Sequence, residues 1–171
     1  MDQVILVDER DNAVGKMDKL EAHYKGALHR AFSIVIFNSK GQLLLQKRSM
    51  SKYHSGGLWT NSCCSHPKPD EQTAKAASIR LKYEMGIDLQ PDYVYKFLYK
   101  SNLENNLIEH ELDHVFTGVF DGIPSINTDE VEEWKFVNMD ELRSDIDRHP
   151  QNYTVWFRLI MNHPYLKQII A

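Results

Sequence analysis

Two patterns of apolar residues follow each other in the first half of the chain, and together they limit what it can fold into. Residues 31–37 are almost continuously apolar, and a second run at 42–46 follows a turn that contains Gly41. This arrangement predicts a β-hairpin whose arms are half or fully buried. Between residues 71 and 85 the apolar spacing changes to three or four positions, which predicts a helix laying one face on the sheet. The residues with this spacing are Ala74, Ala77, Leu81 and Met85.

The second half of the chain continues with elements of both kinds. Strand-like stretches occupy residues 93–99, 108–120 and 132–137. Asn138 followed by Glu141 is a capping box that predicts a short helix, and a last amphipathic helix is expected at about 153–161. The order of the elements predicts an α+β fold, an α/β sandwich with a mixed sheet flanked by helices. No repeat or linker interrupts the 171 residues, so we expect one domain, 1–171.

Composition and charge exclude several classes of partner. The chain is 42% hydrophobic and 26% charged, with a formal net charge of -4 and no basic block. We therefore expect neither nucleic acid nor a membrane as a partner. A monomer or weak dimer is expected. Cys63 and Cys64 are neighbours in sequence and poorly placed for a disulfide, so free thiols indicate a reducing compartment. The acidic start of the chain is unlike a signal peptide, and a cytoplasmic protein is expected.

Two pairs of reactive side chains are spaced by two residues. Cys64 and His66 lie in the segment 60–67, and Glu109 and Glu111 lie in a later strand-like stretch. Two positions is the side-chain period of a β-strand, so the members of each pair point the same way. A thiol, an imidazole and two carboxylates are the components of a site for metal-assisted acid–base chemistry. The sequence therefore predicts an enzyme.

The proposed metal ligands combine imidazoles with carboxylates. His23 and His29 lie near the start of the first long strand and join His66, Glu109 and Glu111. Such a set suits an ion of the Mn(II) class, with Zn and Fe as alternatives, better than Mg(II), which prefers oxygen ligands. Taken singly, each histidine is better explained as a residue that hydrogen-bonds locally. The remaining histidines, interpreted as structural, are His54, His110, His114, His149 and His163.

The proton-transferring groups are expected to be Cys64 and Glu111. Strand parity directs Cys63 into the core and Cys64 towards His66. A nearby cation or divalent ion would lower the pKa of the Cys64 thiol and make the thiolate available as a base. Glu111 would act as the opposite proton partner, with Tyr99 as a possible relay or an ordinary strand aromatic.

A group of cations indicates an anionic substrate. Arg80 and Glu84 lie four apart on the predicted helix, where they form a surface ion pair or bind an anion with its magnesium ion. Clustered lysines and arginines are usually a solvated face, but together with Glu84 they suit a diphosphate bound through Mg(II). The further cations near this position are Lys19, Lys47, Arg48 and Lys52.

From about Lys19 to Trp156 the chain resembles the type I isopentenyl-diphosphate δ-isomerases, which have a Nudix-like fold. The motifs that carry the resemblance are residues 44–48 (LLQKR), 57–67 (GLWTNSCCSHP), 80–87 (RLKYEMGI) and 109–111 (EHE). It implies an isoprenyl diphosphate substrate and a catalytic pair formed by Cys64 and Glu111. The implied ligands of the Mn-class ion are His23, His29, His66, Glu109 and Glu111. Glu84 would hold Mg(II) on the diphosphate; the implied substrate contacts are Lys19, Arg48, Lys52, Arg80 and Trp156, the last shielding a carbocation-like centre.

The chain departs from the Nudix box where hydrolases of this fold carry carboxylates. Arg80 stands in place of one glutamate and Tyr83 in place of another, which disfavours hydrolysis. Ser65 replaces the glycine that commonly follows the catalytic cysteine. Two alternatives stay open: a Nudix pyrophosphohydrolase that uses Glu71 and Glu84 with Mg(II), and a non-catalytic metal-sensing or structural zinc domain.

Overall fold

The computed structural model describes residues 2–169, and the side chains of residues 2–166. In this part of the chain nine strands form one mixed sheet. The strands are β1 Gln3–Val7, β2 Ala13–Asp18, β3 His29–Phe37, β4 Leu43–Arg48, β5 Trp59–Thr60, β6 Cys63–Ser65, β7 Asp92–Asn102, β8 Ile108–Val119 and β9 Val131–Val137. The α-helices are α1 Lys19–Lys25, α2 Thr73–Met85, α3 Met139–Arg148, α4 Val155–Asn162 and α5 Pro164–Ile169.

The centre of the sheet is the parallel pair β3 and β8. Their register runs without interruption from His29 opposite Glu111 to Phe37 opposite Val119. β7 adds to the far side of β8 in antiparallel orientation, with Tyr99 opposite Glu111. The long β8 is therefore paired on both sides, and its alternate side chains are fixed on opposite faces of the sheet.

The predicted hairpin of β3 and β4 is wrong for most of its length. The two strands pair only at Phe37 and Leu43, next to the turn. Beyond that point the segment carrying β5 and β6 lies between them, with β5 pairing with β4 and β6 with β3. The hydroxyl of Ser62 accepts a hydrogen bond from Ile36 N at 2.9 Å and donates one to Leu44 O at 2.6 Å. A polar side chain therefore replaces the pairing that a simple hairpin would have.

Helices cover both faces of the sheet, as expected for an α/β sandwich. On one face α2 buries Ala77, Leu81 and Met85 against apolar residues of β3, β4 and β8. On the other face α3, α4 and α5 pack on β3, β4, β7 and β8, with Trp156 and Phe157 at the centre of this layer. The face covered by α4 also carries the side chains discussed below.

The N-terminal elements β1, β2 and α1 were missed by the sequence patterns. Helix α1 has only seven residues, too few to show a helical period. Its limits are nevertheless defined by local chemistry. The Asp18 carboxylate accepts hydrogen bonds from Leu20 N and Glu21 N, and Gly26 ends the helix in the left-handed conformation at φ 66°. This short helix matters because it carries His23.

The predicted helix starts in the second half are close to those observed. The Asn138 side chain accepts a hydrogen bond from Asp140 N at 3.0 Å, which confirms it as the N-cap of α3. The last predicted amphipathic helix begins at Val155 instead of residue 153, because Thr154 is its N-cap. Among the described residues no helix has both the length and the apolar character needed to cross a membrane.

We predict that Ser62→Ala destabilises the protein by about 2 to 4 kcal/mol, because it leaves a buried N–H and a buried carbonyl without partners. The matched control is Ser101→Ala, whose hydroxyl contacts only the neighbouring Asn102 carbonyl at 3.5 Å. Urea unfolding of both variants measures the difference. Equal midpoints for the two variants would show that Ser62 does not hold β3 and β4 together.

Candidate active site and metal centre

The core of the candidate site is a pair of buried carboxylates on β8. Glu109 and Glu111 are 2% and 7% exposed and share the face of the sheet that α4 covers. The parallel register puts His29 directly beside Glu111, with its Nε2 atom 3.2 Å from Glu111 Oε2. His66, one residue after β6, approaches the same oxygen at 2.6 Å. Strand geometry therefore brings together three of the predicted metal ligands.

The second carboxylate, Glu109, is surrounded by two further imidazoles. His23 on α1 is fully buried, and its Nε2 atom lies 3.5 Å from Glu109 Oε1. His54 was interpreted from the sequence as a structural histidine outside the metal site. In the structure it lies in this cluster, with its Nε2 atom 2.8 Å from the same oxygen. No periodic pattern could have found His54, because it lies in an irregular loop between β4 and β5.

The backbone sets the orientation of two of these rings. The Nδ1 atom of His23 hydrogen-bonds the carbonyl of Lys19 at 2.6 Å, and that of His29 hydrogen-bonds the carbonyl of Ala27 at 2.9 Å. Since a carbonyl can only accept, each Nδ1 carries a proton, and each Nε2 atom is directed towards the carboxylates. Nε2 is therefore the ring atom that would bind a metal ion.

The donor set fits a divalent metal ion. Ligand atoms of His23, His29, His66 and Glu111 lie within 4.8 Å of one another, and so do those of His23, His54 and Glu109. Two ligands that each lie about 2.1 Å from one ion are separated by no more than about 4.2 Å, so only a small contraction is needed. The cluster therefore provides a site for a divalent metal ion, built from imidazole and carboxylate donors.

The electrostatics of the cluster follow from burial and from these contacts. Burial raises the pKa of Glu111, but hydrogen bonds from His29 and His66 outweigh it and hold that pKa well below its ordinary value. Burial lowers the pKa of His66 to about 4, although Glu111 opposes this shift. His66 is therefore neutral near pH 7, as a metal ligand must be.

Tyr99 contacts the same carboxylate from the neighbouring strand. It lies directly opposite Glu111 in the β7–β8 register, and its hydroxyl donates to Glu111 Oε1 at 2.5 Å. The two oxygens of Glu111 are thus used differently, since Oε2 faces the imidazoles and Oε1 faces the phenol. Burial raises the pKa of Tyr99 well above its ordinary value, so the phenol keeps its proton.

The two cysteines face opposite sides of the sheet, as strand parity predicted. Cys63 is fully buried against α2, whereas Cys64 packs on the α4 side and lines the cleft that contains Glu109 and Glu111. Nearby cations lower the thiol pKa, as expected, but burial outweighs them. Burial raises the pKa of Cys64 to about 12, and Arg48, whose Nη1 lies 3.9 Å from the sulfur, offsets only part of that rise. At this pKa, Cys64 is a protonated thiol near pH 7.

The cleft has an empty volume of about 470 Å³ and collects the predicted substrate residues. Trp156 of α4 closes one side, 4% exposed, with the Arg48 guanidinium 5.1 Å from its ring centre. Lys47, in contrast, points away and pairs with Glu133 at 3.4 Å. The cations that line the cleft are Lys19, Arg48, Lys52 and Arg80.

Two carboxylates organise these cations. Glu84 on α2 is 2% exposed and contacts Arg80 Nε at 2.5 Å and Gln46 Nε2 at 3.0 Å. Glu130, which sequence reasoning missed, pairs with Lys52 and lies 3.1 Å from Arg80 Nη2. Because like charges repel, Lys52 and Arg80 can converge only with a carboxylate between them. Glu130 thus determines the spacing of two cations carried by different elements.

Comparison with known proteins decides the family. The NUDIX domain model matches residues 27–159. An isopentenyl-diphosphate Delta-isomerase of Aromatoleum aromaticum is 52% identical over 155 residues, covering 91% of this chain and 82% of that protein. Another, from Photorhabdus laumondii, is 54% identical over 163 residues, covering 95% and 92%. The chain belongs to the isopentenyl-diphosphate Delta-isomerases of the NUDIX family.

Solved structures agree with this fold. A MutT protein of Methanosarcina mazei superimposes with a TM-score of 0.68 at 19% identity, covering 83% of this chain and 95% of that one. A MutT NUDIX hydrolase of Burkholderia pseudomallei gives 0.63 at 19% identity, covering 80% and 98%. At this level of identity the likeness concerns the fold alone, and it confirms the predicted Nudix-like architecture of this isomerase-family chain.

We predict that a divalent transition metal ion stabilises the protein and that His29→Gln removes most of this effect. At about 100 times its Kd, an ion that binds only the folded state adds about 2.7 kcal/mol to the free energy of unfolding. The control is His110→Gln, since His110 lies on the opposite face of β8 and bonds Gly26 O at 2.9 Å. Thermal unfolding with Mn(II) or chelator measures the shift. A full shift in His29→Gln would contradict this ligand set.

Proposed function

We propose that the protein interconverts isopentenyl diphosphate and dimethylallyl diphosphate, as an enzyme of isoprenoid biosynthesis. The observation that carries the proposal is that Cys64 and Glu111, from distant parts of the chain, line one cleft together with four cations. The relatives that match at 52% and 54% identity are named for this isomerisation. The fold alone would not distinguish isomerisation from hydrolysis, because related folds also support hydrolysis.

The chemistry needs two proton-transferring groups and nothing that cleaves the diphosphate. One of Cys64 and Glu111 protonates the terminal methylene, which leaves a tertiary cation, and the other removes a proton from the adjacent CH2, C2 of the substrate. The two groups exchange roles when the reaction runs in reverse. Acid–base groups positioned in this way contribute about 10² to 10⁴ in rate. Tyr99 supports the role of Glu111, since its hydrogen bond fixes the carboxylate oxygen that faces away from the imidazoles.

The cationic intermediate requires protection from water. Trp156 is almost fully buried at the cleft wall, and an indole face stabilises a nearby cation by about 0.5 to 2 kcal/mol. We therefore assign Trp156 the role of shielding the cation.

The roles of the two ions are part of the same proposal. We propose a Mn(II)-class ion, with Zn and Fe as alternatives, held by His23, His29, His66, Glu109 and Glu111. When bound, it supplies positive charge that fixes Glu111 and tunes its acidity. Glu84 would hold Mg(II) on the substrate diphosphate, since its carboxylate lies beside Arg80, which lines the cleft.

The diphosphate would bind among the cations at the cleft mouth, Lys19, Arg48, Lys52 and Arg80. We expect a monomer or weak dimer acting in the cytoplasm on this small molecule, with no nucleic-acid or membrane partner. The free thiols of Cys63 and Cys64 and the net charge of -4 support this expectation.

Running the reaction in deuterium oxide tests the proposal directly. Solvent deuterium is expected in the product methyl group and, through the reverse reaction, at C2 of the recovered isopentenyl diphosphate. NMR of both species measures its incorporation. A pyrophosphohydrolase would release phosphate or pyrophosphate and leave every C–H bond untouched, so deuterium-free product from active protein would refute the mechanism.

We further predict that Cys64→Ser lowers kcat by about 10² to 10⁴ while the fold and metal content are unchanged, because the substitution keeps the size but removes the thiol. Cys63→Ala is the matched control and is expected to keep turnover of the wild-type order, since Cys63 faces the core. Steady-state kinetics and metal analysis of both variants provide the comparison. An inactive, folded Cys63→Ala beside a fully active Cys64→Ser would reverse the assignment.

A further inference from the structure

His54 lies at the candidate metal centre but is not one of the five ligands of the proposed function. It is 3% exposed, and its Nε2 atom lies 2.8 Å from Glu109 Oε1. Ligand atoms of His54, His23 and Glu109 are all within 4.8 Å of one another. An imidazole at this distance either orients the carboxylate by a hydrogen bond or shares a metal ion with it.

His23 decides how many ions the two groups of ligands can hold. Its Nε2 atom belongs to both groups, and its Nδ1 atom is occupied by the Lys19 carbonyl. One ring nitrogen binds one ion, so two separate ions cannot fill both groups at the same time. A single ion between Glu109 and Glu111 is the arrangement that would use ligands of both groups.

We propose that His54 is a sixth ligand of this ion and completes an octahedral set of four imidazoles and two carboxylates. The inference rests on the metal site of the proposed function and adds one residue to it. Six-coordinate geometry is typical of Mn(II). A closed coordination sphere leaves no position for water on the ion.

The protein holds the His54 ring in a fixed orientation. Its Nδ1 atom contacts Ser55 Oγ at 3.1 Å, and its backbone carbonyl accepts a hydrogen bond from Arg48 Nη2 at 3.2 Å. Ser55 has a positive φ of 54°, and its N–H is bound by the Glu104 carboxylate at 2.5 Å. A non-glycine residue in this conformation costs about 1 kcal/mol or more and persists only when its surroundings enforce it. These contacts direct Nε2 towards Glu109.

The consequence for the reaction is exclusion of water. His54 also meets the edge of Trp156, with ring centres 5.7 Å apart. The His54 side chain would therefore fill the last coordination position of the ion and also pack against Trp156 in the aromatic wall of the cleft. Since a tertiary cation is trapped by water, a metal centre without bound water protects the intermediate.

The test is to count water molecules and imidazoles on the ion in the Mn(II)-loaded protein. Water-proton relaxation is expected to show no exchangeable inner-sphere water in the wild type and about one in His54→Ala. His110→Ala is the matched control and should behave as the wild type. Bound Mn(II) is quantified in every sample, and X-ray absorption counts imidazoles, with four expected in the wild type and three in His54→Gln.

The Gln variant separates ligation from a hydrogen bond. Its amide can still donate to Glu109, so a residue that only orients Glu109 would leave His54→Gln with the wild-type imidazole count and affinity. That result, or equal relaxation in wild type and His54→Ala, overturns the proposal. Loss of Mn(II) from His54→Gln at concentrations that saturate the control supports ligation. Failure of the proposed function would appear differently, as wild-type protein without isomerase activity.

Discussion

Two carboxylates buried side by side on β8 are the constraint around which the site is built. Glu109 and Glu111 cannot both remain ionised in an apolar interior unless positive or hydrogen-donating groups surround them, because the desolvation of each charge costs several kcal/mol. Here four imidazoles and the Tyr99 hydroxyl provide these contacts. They come from α1, β3, β7 and two loops. The fold must therefore bring five parts of the chain to one face of β8 before the carboxylates are stable there.

The same family fold that supports hydrolysis is used here with a different distribution of charge. Where the hydrolase pattern has a carboxylate on α2, this chain has Arg80, which contacts Glu84 and Glu130. Helix α2 thus contributes one buried carboxylate and one cation, an arrangement suited to binding a diphosphate and not to cleaving it. The proposed reacting groups, Cys64 and Glu111, lie on β6 and β8 instead. Binding and chemistry are divided between different elements, so one can change without the other.

Much of this site could be predicted because strand parity is a local property. The two-residue step placed Cys64 with His66 and Glu109 with Glu111, and it separated Cys63 and His110 from them. The sequence did not allow us to predict contacts between residues that are far apart in the chain. The pairing of β3 with β4 was predicted from a Gly-containing turn, but tertiary structure inserted β6. His54 and Glu130 lie in irregular segments, where no helical or strand periodicity predicts the direction of a side chain. The high pKa of the Cys64 thiol also follows from burial, which only the folded structure reveals.

The short segment from β5 to His66 links stability to function. Successive side chains have different tasks: Ser62 bonds to both β3 and β4, Cys63 fills the core against α2, and Cys64 faces the cleft. Two residues further on, His66 reaches Glu111. The hydrogen bonds of Ser62 exist because β3 and β4 separate, and that separation is what leaves room for β6 beside β3. The departure from a simple hairpin is therefore the structural condition for having a thiol next to the buried carboxylates. A sequence that restored full β3–β4 pairing would displace β5 and β6 from these strands and lose the site.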